Sequence, residues 1–132
     1  MALSSGRIPI DLDEFEADGL ETRSARHARR FLEYLSEHPN RPLYLAEICA
    51  ALGLAERTLR GACEMHLGMG PIRYLTLHRM HRVHQTLLIA DSSNTTVTDV
   101  AMEHGFCELG RFSVAYRSLF SESPSETLRR SF

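Results

Sequence analysis

The sequence contains no lysine and no tryptophan, and all 15 of its basic side chains are arginine. Long apolar stretches are also missing, since the longest uninterrupted apolar run is the five residues from Ile48 to Leu52. We therefore expect no membrane-spanning helix, which needs about 20 apolar residues, and no secretory signal peptide. Only three cysteines are present, without metal-ligand spacing. This count favours a reduced protein in the cytoplasm over a disulfide framework.

Charge is distributed unevenly along the 132 residues, whose formal net charge is -2. Residues 1–22 have a net charge of -5, whereas residues 23–132 have a net charge of +3. The acidic segment also lacks helical periodicity, so we interpret residues 1–24 as a flexible tail or interdomain linker. An alternative interpretation is an acidic mimic that masks a basic face.

From residue 25 onward the sequence predicts an all-α domain of about seven helices. Apolar residues recur at helical spacing, and no segment shows the sustained alternation that is typical of a strand. Proline and glycine mark the ends of the helices, and Thr96 and Ser123 each begin a capping-box pattern. The predicted helices span residues 23–37, 45–52, 56–66, 71–90, 97–104, 109–120 and 124–130.

Buried faces follow from the same periodicity. In the fourth helix we expect Ile72, Leu75, Met80, Val83 and Leu87 to face the core. In the sixth helix we expect burial of Phe112, Ala115, Tyr116 and Leu119.

An internal repeat indicates two helix-turn-helix motifs, at about residues 45–67 and 97–120. Residues 48–54 resemble residues 100–106 at an offset of 52, and Leu59 to Pro71 resemble Phe112 to Pro124 at an offset of 53. Each copy predicts a short helix, a turn at glycine and a longer amphipathic helix. In such motifs the second helix enters the major groove of DNA.

The linker helix, predicted at about residues 71–90, joins the two motifs. At about 1.5 Å per residue, its 20 residues span roughly 30 Å, and one turn of B-DNA is about 34–36 Å. This length is compatible with two recognition helices in successive major-groove segments on one face of DNA.

Each second helix has a candidate base-contacting face. In the first motif the outward stripe is Arg57, Arg60, Gly61 and Glu64, where arginine can donate two hydrogen bonds to guanine. In the second motif it is Leu109, Gly110, Arg111 and Val114, where the apolar side chains suit a thymine methyl group. Because arginine is scarcer there, the second helix is alternatively a reader of DNA shape and phosphates.

The layout resembles the double helix-turn-helix DNA-binding domain of AraC/XylS-type transcriptional regulators, over about residues 25–130. The residues that carry the resemblance are Val97 to Ala101, Gly105-Phe106, Arg111-Phe112, Tyr116-Arg117, Phe120 and Ser123 to Ser125, together with Gly68 to Pro71, Tyr74-Leu75 and Arg79 in the linker helix. The run from Gly105 to Phe112 is also similar to the subgroup that contains ethanolamine-utilisation regulators. The chain departs from the family pattern at Ala55, Gly61, Gly110 and Val114.

The resemblance implies a bacterial DNA-binding regulator, in most cases an activator, that also contacts RNA polymerase. It further implies an effector-sensing or dimerising domain, which we expect to be missing from this chain. Base-reading positions of the family correspond to the two stripes named above, apart from Glu64. No cofactor, metal or membrane partner is implied.

Competing functions have weaker support. The residues carry no nucleophile, phosphate-loop or metalloprotease motif, so we expect no enzyme. His78, His81 and His84 recur every three residues, and we interpret them as a partly exposed surface rather than a metal site. If they face phosphates, DNA binding should strengthen as the pH falls towards about 6.5. Cys107 is a minor candidate for redox sensing. The alternative function is a helical protein-interaction module.

Overall fold

The computed structural model describes residues 21–39 and 41–130, which form seven α-helices and no strand. The segment predicted to be an acidic tail therefore lies mostly outside the described residues. Its last two residues, 23 and 24, belong to the first helix, which begins at Arg23 as predicted. The helices are α1 (Arg23–Glu37), α2 (Leu45–Leu52), α3 (Glu56–Leu67), α4 (Pro71–Ile89), α5 (Val97–Glu103), α6 (Leu109–Phe120) and α7 (Pro124–Arg130).

The described chain divides into two units, an N-terminal unit up to Thr76 and a C-terminal unit from Leu77. Each unit has its own apolar core. The N-terminal core contains Phe31, Leu32, Leu35, Leu43, Ile48, Leu59, Cys63, Leu67, Tyr74 and Leu75. The C-terminal core contains Met80, Val83, Leu87, Val100, Ala101, Phe112, Tyr116, Phe120 and Leu128.

Capping residues determine where several helices begin. The Thr22 hydroxyl accepts a hydrogen bond from the Ala25 N–H at 3.1 Å and begins α1. The Thr96 hydroxyl accepts from the Asp99 N–H at 3.1 Å and begins α5. Before α7 the capping box is reciprocal, because the Glu126 carboxylate accepts from the Ser123 N–H at 2.7 Å while the Ser123 hydroxyl accepts from the Glu126 N–H at 3.1 Å. Both predicted caps are thus confirmed.

The predicted repeat is confirmed in backbone detail. Gly53 and Gly105 both adopt the left-handed conformation, with φ of 69° and 90°. Directly after them, the Leu54 N–H donates to the Cys49 carbonyl at 3.1 Å and the Phe106 N–H donates to the Ala101 carbonyl at 3.0 Å. The two turns therefore share one hydrogen-bonding pattern at an offset of 52 residues, and glycine suits the positive φ because it has no Cβ.

Two buried positions were predicted wrongly. Ile72 is 61% exposed, and Tyr74, which was not predicted to be buried, packs in the N-terminal core beside Leu75, which was. Ala115 is also exposed, because α6 buries its residues at spacings of four: Phe112, Tyr116 and Phe120. Among the described residues, no helix is both long and apolar enough to cross a membrane.

Candidate nucleic-acid interface

The predicted stripe on α3 is exposed along its whole length. Arg57, Arg60, Gly61 and Glu64 all face solvent, while the opposite side of the helix is held in the N-terminal core by Leu59, Ala62, Cys63 and Leu67. This division into a buried and an exposed side is what a recognition helix requires, because the anchored side orients the side chains that reach outward.

The two arginines of this stripe have different surroundings. Arg60 forms an ion pair with Glu56 at 2.5 Å, one turn earlier on α3, whereas Arg57 makes no ion pair with the described residues. Gly61 follows Arg60 and precedes Glu64 in the stripe, and an added Cβ at Gly61 would meet no atom within 4 Å. The centre of the stripe is therefore open, and another backbone can approach it closely.

The start of α3 lacks a side-chain cap. Ala55 occupies the N-cap position with extended backbone, φ -68° and ψ 148°, and cannot accept a hydrogen bond through its methyl side chain. The first backbone N–H groups of α3 consequently remain available to solvent or to a ligand.

The predicted stripe on α6 is less uniform. Gly110 and Arg111 are exposed and Val114 is 73% exposed. Leu109 is only partly exposed and packs against the C-terminal core, so it is less accessible than the prediction assumed. The exposed apolar side chain of Val114 therefore stands out on the surface of α6.

A groove beside α6 brings in residues that lie outside the predicted base-contacting stripe. Its hydroxyl groups come from α6 and from the start of α7, and Arg117 lies among them with an ion pair to Glu126 at 3.8 Å. Ser113 and Arg117 are four residues apart, so the sequence could have predicted that they share one face of α6. The lining includes Ser113, Val114, Arg117, Ser118, Ser123 and Ser125.

A chain of hydrogen bonds anchors the buried side of α6. The ring Nδ1 of His84 lies 2.9 Å from the Tyr116 hydroxyl, which donates to the Thr127 hydroxyl at 2.8 Å. Thr127 in turn donates to the Glu122 carboxylate, which also accepts from Arg130 at 2.7 Å. Burial raises the pKa of Tyr116 to about 12. Helices α4, α6 and α7 are thereby joined through one tyrosine hydroxyl.

The interpretation of the histidines as a partly exposed surface is wrong for His81. His81 is 1% exposed, and its burial lowers its pKa to about 4. The pKa of His78 is also lowered to about 4, by burial and then by Arg82 and Arg79, and burial lowers that of His84. The lowered pKa values of His78 and His81 count against the expected rise in DNA affinity near pH 6.5, because these two rings gain their charge well below that pH. Among the residues described, no group of three His, Cys, Asp or Glu side chains is arranged to hold a metal ion.

The cysteines occupy three different environments. Cys63 is fully buried, and burial raises its pKa to about 12. Cys49 is partly buried, with its pKa also raised. Cys107 is exposed in the turn before α6. A role for Cys107 in redox sensing stays a prediction.

Two helix-turn-helix units, each with an exposed arginine on its second helix, define a DNA-binding protein of the transcription-regulator class. A family model described as "Helix-turn-helix domain" matches residues 48–130. The structure of a probable AraC family transcriptional regulator from Rhodopseudomonas palustris CGA009 is 33% identical, with a TM-score of 0.69, over 80% of this chain and 97% of that one. The chain belongs to the AraC family of helix-turn-helix DNA-binding proteins.

Curated relatives are similar over the same part of the chain. The "Probable thc operon regulatory protein" of Rhodococcus erythropolis is 37% identical over 101 residues, which are 76% of this chain and 30% of that protein. The "XylDLEGF operon transcriptional activator 2" of Pseudomonas putida is 31% identical over 99 residues, or 75% of this chain and 63% of that protein. The chain thus spans less than two thirds of the length of either relative. Membership of the ethanolamine-regulator subgroup stays a prediction.

Proposed function

We propose that this chain is a sequence-specific DNA-binding module that inserts α3 and α6 into successive major-groove segments on one face of DNA. The observation that carries the proposal is the pair of outward stripes on α3 and α6, the second helices of the two repeats. The repeat makes two of their positions equivalent at an offset of 53, because Arg57 corresponds to Gly110 and Gly61 to Val114. In each case the opposite side of the helix is anchored in an apolar core.

On α3 we assign base contacts to Arg57, Arg60, Gly61 and Glu64. A guanidinium group can donate two hydrogen bonds to the O6 and N7 atoms of guanine, and a carboxylate can accept one from the N4 amino group of cytosine. Gly61 lets the helix approach the base edges closely. Arg60 exchanges its ion pair with Glu56 for a base contact, which makes its contribution smaller than that of Arg57.

On α6 we assign contacts to Leu109, Gly110, Arg111 and Val114. Arg111 supplies the strong hydrogen-bonding group, while Val114 suits the methyl group of thymine. Leu109 has a smaller role because it is already packed against the C-terminal core. With a single arginine in this stripe, α6 is expected to depend more on phosphates and DNA shape than α3 does.

The length of α4 supports the two-segment proposal. Its 19 residues correspond to about 28 Å of helix, somewhat less than one turn of B-DNA, which is about 34–36 Å. The division of the chain into a segment 1–24 and a DNA-binding domain 25–132, with motifs at 45–67 and 97–120 joined by a helix at 71–90, belongs to the same proposal.

Beyond DNA binding, we propose that the chain acts in a transcriptional activator. A Pseudomonas putida relative is named as a transcriptional activator, and activation requires contact with RNA polymerase. Because the chain spans 30% of one relative and 63% of the other, we also propose that an effector-sensing or dimerising domain completes the regulator. Such a protein works in the bacterial cytoplasm, where the DNA is, and has no catalytic activity of its own.

Selection of bound sequences from a random duplex library, at moderate salt, tests the proposed function. We expect the parent chain to enrich a motif, and Arg57→Ala and Arg60→Ala to relax the preference at particular base pairs by about 1–3 kcal/mol each. Arg26→Ala, which removes an exposed arginine on α1, is the matched control and should enrich the parent motif.

The same selection distinguishes the proposed function from the alternative one, a helical protein-interaction module. A helical module that binds proteins would enrich no DNA motif, and its Arg57→Ala and Arg26→Ala variants would behave alike. That result would contradict the proposed function.

A further inference from the structure

A groove lies beside α3 in the N-terminal unit, on the flank of the helix that faces the start of α1. Basic and hydroxyl side chains from α1 form one wall, and the edge of the α3 stripe forms the other. The lining includes Arg23, Ser24 and His27 from α1 and Arg57, Gly61 and Met65 from α3.

The arginines of α1 differ in whether a carboxylate already holds them. Arg26 pairs with Glu21 at 3.4 Å, and Arg29 pairs with Glu21 and, at 2.8 Å, with Glu33. Arg23 is exposed and makes no ion pair with any residue of the described part of the chain. Arg30 makes no ion pair either, but it donates to the Leu52 carbonyl at 2.9 Å. Of the four arginines of α1, Arg23 is therefore the one that lines the groove with its guanidinium group available to a new anion.

Contacts within the N-terminal unit hold this wall in place. The Thr22 cap sets the first turn of α1, and Ala28 and Phe31 are fully buried beneath it. The Ser24 hydroxyl donates to the Met65 sulfur at 3.8 Å and so joins α1 to the end of α3. Arg23 and His27, four residues apart, consequently share one face of an anchored helix.

The dimensions of duplex DNA indicate which part of the DNA would lie in a groove beside a recognition helix. The major groove is about 12 Å wide, and an α-helix with its side chains is about 10–12 Å across. An inserted helix therefore fills the major groove, and the phosphates of the two strands run along its flanks. The groove between α1 and α3 lies on one such flank.

We propose that Arg23, Ser24 and His27 form a phosphate-contacting arm on duplex DNA, next to the bases that α3 contacts. This inference rests on the proposed function. The guanidinium group and an imidazole N–H are donors to phosphate oxygens, and the Ser24 hydroxyl becomes one when its proton turns from the Met65 sulfur to a phosphate. Contacts of this kind fix the register of a recognition helix and carry no sequence information of their own.

The salt dependence of DNA affinity tests the arm. Each neutralised phosphate contributes about 0.9 to the slope of log affinity against log salt. We expect Arg23→Ala to reduce this slope by about 1 and to weaken binding equally on the selected motif and on unrelated DNA. Arg26→Ala makes the same charge change on α1 and should keep the parent slope. Arg23→Lys, which retains a phosphate donor, should restore most of the slope.

Methylphosphonate substitution locates the contact on the DNA. Replacing single phosphates at the edge of the selected site should find one or two whose loss weakens the parent but leaves Arg23→Ala unaffected. Equal salt slopes for Arg23→Ala and Arg26→Ala, on a motif that the parent does enrich, would overturn the arm and leave the proposed function standing. A parent that enriches no motif would overturn both.

Discussion

His81 is a polar side chain at a buried position of α4. It is 1% exposed, its ring lies edge-on to Phe120 at 5.5 Å, and neither ring nitrogen has a hydrogen-bond partner in the described part of the chain. Burial without a partner disfavours the charged ring, which accounts for its lowered pKa of about 4. Sequence spacing grouped it with His78 and His84 but could not distinguish an inward from an outward histidine, since histidine is common in both settings.

The buried His81 predicts a dependence of stability on pH. Its pKa is lowered in the folded state, so between about pH 4 and 6.5 the unfolded chain binds more protons and folding weakens as the pH falls. From the shift to about 4, we expect His81 to cost about 2 kcal/mol at pH 5 relative to pH 7.5.

Urea unfolding of the parent and of His81→Leu at the two pH values measures this term. The variant, which replaces an unpartnered polar ring with an apolar side chain of similar size, should lose less stability on acidification than the parent. An identical loss in the two proteins would rule out His81 as the source.

At the scale of single elements, helix boundaries were more predictable than helix faces. The predicted bounds of α1, α2 and α6 agree with the structure, because proline, glycine and capping residues act within one turn. The predicted buried face of α4 was wrong at Ile72. This helix contributes residues to two cores, so no single apolar stripe of period 3.6 describes its buried side. Ala115 was assigned inward from its spacing to Phe112, but contacts with other helices decide which side of α6 is covered.

Tyr116 predicts a coupling between α6 and α7. Tyr116→Phe should destabilise the protein by about 1–3 kcal/mol, because the Thr127 hydroxyl and the His84 ring lose a buried partner. A double-mutant cycle with Thr127→Val measures the shared term, and urea unfolding gives the four free energies. The double variant should lose clearly less free energy of unfolding than the sum of the losses in the two single variants. Additive losses would contradict a stabilising hydrogen bond between Tyr116 and Thr127.

The uncapped start of α3 offers a gain in stability. The extended backbone of Ala55 suits a serine N-cap, so Ala55→Ser should stabilise the protein by about 1 kcal/mol by accepting a hydrogen bond from the first turn. Thermal unfolding followed by circular dichroism checks the gain, with Ala55→Val as a control that adds bulk without an acceptor. Equal unfolding temperatures for the serine variant and the parent would contradict the prediction.

At the scale of the whole molecule, the formal charge of -2 conceals a division. Residues 1–22 carry -5 and the helical part carries +3. A modest positive charge predicts weak non-specific binding and strong dependence on salt. The sequence repeat predicted the two helix-turn-helix units, and helical periodicity predicted the exposed side of α3 and, apart from Leu109 and Ala115, that of α6. The groove between α1 and α3 could not be predicted, because it depends on how two helices distant in sequence pack together.

Hydroxyl-radical footprinting of the chain on its selected duplex tests the central claim most directly. If α3 and α6 occupy successive major-groove segments, two protected stretches should appear on one face of the DNA, about 10–10.5 base pairs apart. Arg57→Ala should weaken one stretch and Arg111→Ala the other. A single protected stretch, or two stretches on opposite faces, would contradict the account.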